Sequence, residues 1–162
     1  MTDAPSPREM IDMLWEKLDD SPYALVGIPS QDAHSEPMAL KFDDDFPNRL
    51  FIYTNTDNRL TQGMATDPNA MIQFAAKGHD FFACMKGTLS RVTDPDMIDR
   101  FWNNTVAAWY EGGRDDPKLA MLCVELQHAE MWEADMSMGG VIKMLFGGKV
   151  DESEMGHLET AM

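Results

Sequence analysis

The chain has 162 residues, with 28 acidic side chains against 13 basic ones and a net charge of −15. That balance excludes the basic face that nucleic acid requires and disfavours an anionic membrane surface. A hydrophobic content of 44% with 25% charge is that of a folded globular domain, and the length suffices for a sizeable core without metal or disulfide support.

No run of about 18 or more apolar residues offers a membrane span. The opening MTDAPSPREM has no apolar stretch of the kind a secretory signal needs, so a cytoplasmic location is expected. Cys84 and Cys123 lie within apolar runs without CxxC spacing, which reads as two reduced core thiols. Fifteen methionines suit an adaptable core or a subunit interface and need no metal.

Ser6-Pro7-Arg8-Glu9 has the form of a capping box with proline at the first helical position. The helix it opens places Ile11, Leu14, Trp15 and Leu18 on one face, as for a helix laid on a sheet, and Asp19-Asp20-Ser21-Pro22 stops it. Residues 23–28 read as a short strand and 29–32 as a turn. Residues 35–42 form the second expected strand, with Asp43-Asp44-Asp45 at a loop tip, and 50–54 the third, apolar enough to be buried on both sides. Asp57 or Asn58 caps a short helix that carries Leu60 and Met64 inward. Strand 70–76 leads through the turn Lys77-Gly78-His79-Asp80 into the long alternating strand 81–92. Thr93-Asp94-Pro95 then caps a helix expected to run with Ile98, Phe101, Trp102, Thr105 and Trp109 on one face. After the glycine-bearing loop 111–117 come two closing strands, 119–126 and 130–133. A last short helix over 137–146, Gly147-Gly148 and an acidic tail complete the chain.

Short antiparallel strands joined by tight turns, with helices at the start, middle and end, predict an α+β fold that is mainly β. The expectation is a six-stranded antiparallel split barrel with flanking helices, one domain over 1–162 with flexible tails at 1–6 and 148–162. The four histidines are scattered, with no HxxxH or HxH pair near carboxylates, so no metal site is expected. Nor is there a GxSxG, a Cys–His pairing signal or a GxxxxGKS, which leaves nucleophilic catalysis and nucleotide triphosphate use without support.

The informative stretch is 35–66, where two strands deliver backbone and small polar groups to a helix start, a place where an anionic cofactor could sit. The same residues also read more plainly: Thr54 and Asn55 as a strand end, Asp57 or Asn58 as a helix cap, Tyr53 as core. Ser35-Glu36-Pro37-Met38, Phe51-Ile52-Tyr53-Thr54-Asn55 and Asp57-Asn58-Arg59-Leu60 resemble the paired strands of the pyridoxamine 5'-phosphate oxidase-like flavin-binding split barrels. Lys77-Gly78-His79-Asp80, Gly87-Thr88-Leu89, Phe101-Trp102-Asn103 and Ala107-Ala108-Trp109-Tyr110-Glu111-Gly112-Gly113 are similar to the general stress protein 26 branch. Asp115-Asp116-Pro117-Lys118-Leu119 and Gly140-Val141-Ile142-Lys143-Met144-Leu145 extend that likeness, which covers roughly 7–147.

The resemblance implies a homodimer with FMN, or a related flavin such as FAD, in a cleft at the subunit interface. By position, Pro37, Met38 and Ala39 would line the isoalloxazine through their backbone, Tyr53, Thr54 and Asn55 would follow the ribityl chain, and Glu36 would stand next to the phosphate. Asn58, Arg59 and Leu60 would hold the phosphate, and Trp109 would reach in from the partner subunit. The chain departs from the family at Glu36, where many relatives have arginine, and at Leu60 and Thr56, often basic in relatives. A flavin-dependent oxidoreductase acting on a small molecule in a stress response is the implied function. The other reading is a dimeric, non-catalytic stress protein that holds a flavin or another small ligand. Substrate and catalytic residues are not legible in the sequence.

Overall fold

A computed structural model describes residues 5–134 and 156–162. The expected helix over 137–146, the 140–145 motif, Gly147-Gly148 and the first four residues lie outside the described residues. Helix α1 (Pro7–Asp20) begins in the capping box read from the sequence. The Ser6 hydroxyl accepts the Glu9 N–H at 3.3 Å, and the Glu9 carboxylate accepts the Ser6 N–H at 2.7 Å. It buries Met10, Leu14 and Leu18 against the barrel, with Ile11 and Trp15 packed partly beside them. Among the described residues no helix is long and apolar enough to cross a membrane.

Strands β1 (Tyr23–Gly27), β2 (Glu36–Lys41), β3 (Arg49–Asn55), β4 (Asn69–Ala75), β5 (Phe81–Val92) and β6 (Leu119–Glu133) form one antiparallel sheet in the order β3-β2-β1-β4-β5-β6. Pairing of β3 with β6, from Arg49↔Glu125 to Asn55↔Leu119, closes it into the expected six-stranded barrel. Closure removes the edges of an open sheet and encloses a core that includes Val26, Leu40, Leu50, Ile52, Ile72, Phe81, Met85, Leu122 and Val124. Cys123 is buried and Cys84 half-buried, both free, and burial pushes both thiols above their ordinary range, which keeps them unreactive.

Three expectations need correction. The two closing strands are one, β6, interrupted by a bulge: Lys86 faces His128 but Gly87 faces Leu126, leaving Gln127 as the extra residue. The bulge shifts the alternation, so that Leu122, Val124 and Leu126 point into the core before it and Ala129 and Met131 after it. That loss of phase reads as a gap in the sequence.

The helix expected through Trp109 is two short ones, α3 (Pro95–Arg100) and α4 (Asn104–Ala107), because the Asn103 side chain accepts the Val106 N–H at 3.0 Å and caps a new start. They lie over the outer face of β3 and β6. There Phe51, Met121 and Cys123 pack with Phe46, Met97, Ile98 and Phe101. Arg100 fastens this cover by pairing with Asp43 and Asp45 in the β2–β3 loop, its guanidinium 5.0 Å from the centre of the Phe46 ring.

The tail expected to be flexible from 148 contains a strand, β7 (Gly156–Ala161), paired with β6 from His128↔Ala161 to Glu133↔Gly156. It takes the edge of β6 beyond the β3 pairing. Two His–carboxylate contacts of 3.0 Å, His128–Glu159 and His157–Glu130, and a stacked Trp132–His157 pair add to the ladder.

A Cβ on Gly87 would sit 2.5 Å from the Glu125 carbonyl oxygen and 2.7 Å from a Val124 methyl, so Gly87→Ala must displace backbone at the bulge. We expect a loss of about 1–3 kcal/mol in chemical denaturation.

Lys17 Nζ hydrogen-bonds to Asp80 Oδ2 at 2.6 Å, tying α1 to the β4–β5 turn, while among the described residues the buried Asp80 Oδ1 has no partner. The Lys17 hydrogen bond outweighs burial and holds the Asp80 carboxyl below its ordinary value of 3.8. A depressed folded value means that this stabilisation is complete above the unfolded value and is lost as pH falls through the folded one. Denaturation at a series of pH values should therefore show a gap between wild type and Lys17→Met at neutral pH that narrows in acid.

Candidate functional site

β2 and β3 pair at Leu40↔Ile52 and Lys41↔Phe51 and then diverge. Beyond that point β2 pairs with β1, and β3 gives its last residues, Tyr53, Thr54 and Asn55, to β6. Among the described residues, the β3-facing edge of Glu36–Ala39 has no strand beside it. The result is a seam between the first half of β2 and the end of β3. Four residues of extended chain separate Glu36 from Leu40, about 13 Å. Unsatisfied main-chain groups along such an edge are available to a ligand.

Side chains bridge the far end of the seam. Asn58 caps α2 (Arg59–Gly63), its Oδ1 accepting the Leu60 N–H at 2.9 Å, and its Nδ2 donates to Glu36 Oε2 at 2.7 Å. Arg59 lies beside them, Nε 3.8 Å from Glu36 Oε1 and Nη1 donating to the His34 carbonyl at 3.3 Å. The Asn55 carbonyl accepts from the Asn58 N–H at 3.1 Å and the Thr61 hydroxyl at 2.8 Å, which fixes the β3–α2 turn. With the Arg59 side chain 52% exposed, its pairing with Glu36 adds little to stability and leaves the guanidinium reachable from solvent.

The residues singled out from the sequence therefore divide. Glu36, Asn58 and Arg59 come together at one end of the seam. Pro37 and Ala39 are exposed on the outer face of β2, opposite Leu25 and Tyr23 of β1, whereas Met38 and Leu60 point into the barrel core. Thr54 is buried and Asn55 exposed at the strand end. Tyr53 lies on the outer face beneath the α3–α4 cover, in edge contact with Trp102 at 5.7 Å, its hydroxyl donating to the Ile98 carbonyl at 2.5 Å. Trp109, expected on a packed helix face, is 81% exposed, and Tyr110 is buried in its place.

Sequence reasoning missed two features. Tyr110 donates its hydroxyl to the Thr54 carbonyl at 2.7 Å and so holds the end of β3. Tyr23 and Leu25, 64% and 46% exposed, give the outer face of β1 an apolar surface next to Pro37 and Ala39. The signal for the second was present in the alternation of strand 23–28. Burial first, and the Asp99 and Asp116 carboxylates after it, push Tyr53 and Tyr110 up to about 12, so both phenols stay protonated donors.

The family described as pyridoxamine 5'-phosphate oxidase like matches residues 9–155. The chain belongs to that family. Among solved structures similar to this oxidase-like chain is a general stress FMN/FAD binding protein from Xanthomonas citri, 36% identical over 81% of this chain and 93% of that one, with a TM-score of 0.75. A general stress family protein of Xanthomonas campestris pv. campestris is also 36% identical, over 82% and 93%, with a TM-score of 0.71. A general stress protein 26 from Jannaschia sp. CCS1 is 25% identical over 96% of this chain and all of its own length, with a TM-score of 0.76. Protein bli-3 of Neurospora crassa is 28% identical over 100 residues, 57% of this chain and about half (48%) of its own length.

Replacing Asn58 by alanine removes the cap of α2 and its bond to Glu36. The expected cost is about 1 kcal/mol of stability in urea unfolding, and Asn58→Ser, which retains a capping oxygen, should lose less.

Proposed function

We propose that this protein binds a flavin in the seam between β2 and β3 and acts as a flavin-dependent oxidoreductase, with FMN and FAD as the natural candidates. The observation that carries the reading is the divergence of β2 from β3, which leaves the Glu36–Ala39 edge open beside the Asn58–Arg59 turn. Support comes from the 36% identical Xanthomonas citri protein, which is described as FMN/FAD binding. Pro37 and Ala39 offer a face without bulky side chains to a planar ring, and the β2 edge offers main-chain groups to its polar rim. The flavin supplies the redox chemistry when bound. The chain's own part is to hold the ring, orient it and limit water at one face. Tyr53 and Tyr110 brace the β3 end of the seam as protonated hydrogen-bond donors.

A second copy of the chain completes this reading. Tyr23, Leu25, Phe82 and Trp109 are exposed apolar groups on one chain, and a homodimer would cover such a surface and close the open side of the seam. The alternative, a dimeric holder that never turns its ligand over, is favoured by one observation. The two tyrosines nearest the seam are committed to backbone carbonyls and held protonated, far from the range of a general base.

Titration of the purified protein with riboflavin, FMN and FAD, followed by flavin fluorescence and visible absorption, tests the binding. Saturable uptake at micromolar ligand with a dimer in sedimentation is the expected outcome; no uptake of any flavin overturns the proposal. Reduction of the bound flavin by NADH or NADPH and reoxidation by an acceptor separate the enzyme from the holder.

A further inference from the structure

Resting on the flavin reading above, we propose that Glu36 sets the ligand preference of the seam by filling the place of a terminal phosphate, so that the site takes an unphosphorylated, polyol-ended flavin at least as well as FMN. The groups that would receive an anion are already engaged by the chain itself. Asn58 Nδ2 gives its hydrogen bond to Glu36 at 2.7 Å, the Leu60 N–H goes to Asn58 Oδ1 at 2.9 Å, and Arg59 is shared between the Glu36 carboxylate at 3.8 Å and the His34 carbonyl at 3.3 Å.

Formal charges within the Glu36–Asn58–Arg59 cluster cancel, one carboxylate against one guanidinium, and Asp57 next to Asn58 adds a further carboxylate to the turn. A phosphate dianion brought there gains from Arg59 what it loses against Glu36, and it must also displace the bond between Glu36 and Asn58. The chain's net charge of −15 adds a repulsive field at longer range. A ribityl end differs in kind: its hydroxyls are neutral and can donate to the Glu36 carboxylate, adding a charge-assisted bond without evicting anything. Turning the Glu36 side chain away would give up its charge-assisted hydrogen bond from Asn58 Nδ2 at 2.7 Å as well as the longer Arg59 contact.

The test is the ratio of FMN to riboflavin affinity, measured on the full chain at low ionic strength by flavin fluorescence. Wild type should bind riboflavin at least as tightly as FMN, and added salt should raise FMN affinity relative to riboflavin. Glu36→Gln should shift the ratio about tenfold toward FMN, and Glu36→Arg further. Because both ligands are read on the same preparation, partial loss of folded protein in a variant cancels from the ratio, and the wild-type arms need no variant. A wild type that binds FMN more tightly than riboflavin, or a ratio unmoved in a Glu36→Gln protein of unchanged circular dichroism, overturns the inference and leaves the flavin reading standing. Failure of wild type to bind either flavin overturns both.

Discussion

The pairing of β3 with β6 is the contact on which the rest of the molecule depends. It turns a curled sheet into a barrel, and it takes one edge of β3 along its whole length, from Arg49 to Asn55. The other edge of β3 meets β2 only at Leu40↔Ile52 and Lys41↔Phe51. β2 is then left with β1 alone over its first half, and the seam is the direct result. Main-chain groups exposed by such a divergence cost free energy unless water or a ligand meets them. A fold that keeps an open edge at one fixed place is thus suited to receive something polar and flat there.

Electrostatics at the seam differ from those of the chain as a whole. The protein is strongly acidic, yet the bridging cluster is balanced and includes an exposed guanidinium. Elsewhere arginine serves structure: Arg100 clamps α3 to the β2–β3 loop, and Arg114 pairs with Asp99 at 2.6 Å. Tyr53 and Tyr110 belong with that scaffolding. Their rings pack around Trp102 in the outer layer, and their hydroxyls hold the Ile98 and Thr54 carbonyls. Nothing in this arrangement asks a side chain to do the chemistry, which accords with a bound group that carries its own reactivity.

Much of this was legible in the sequence because the signals are local. The Ser6–Glu9 box, the alternation in 81–92 and the cap before Leu60 each depend on residues within one turn or strand. What was not legible depends on chain segments meeting. Glu36 and Asn58 look unrelated until β2 and the β3–α2 turn come together, and only then does a carboxylate prove to be facing an amide and a guanidinium. Trp109 has helical spacing from Ile98 and Trp102, but Asn103 restarts the helix and rotates the indole to solvent. The strand at 156–161 is short and only weakly apolar, and it acquires order through the edge that β6 offers. Local composition says nothing of that edge.

The bulge in β6 has a consequence for how this chain can change over time. Gln127 is solvent-facing, and its side chain does no more than donate to the Thr88 hydroxyl at 2.9 Å, so many residues would serve in its place. As a unit of length it matters for shape rather than for facing. Without it Leu126 would point inward, His128 outward and Ala129 inward in plain alternation, so the inner residues would stay inside and only the local bend and twist of the strand would go. Position 127 should therefore drift freely in identity, and its loss would straighten the barrel wall beside Gly87 without exposing the core.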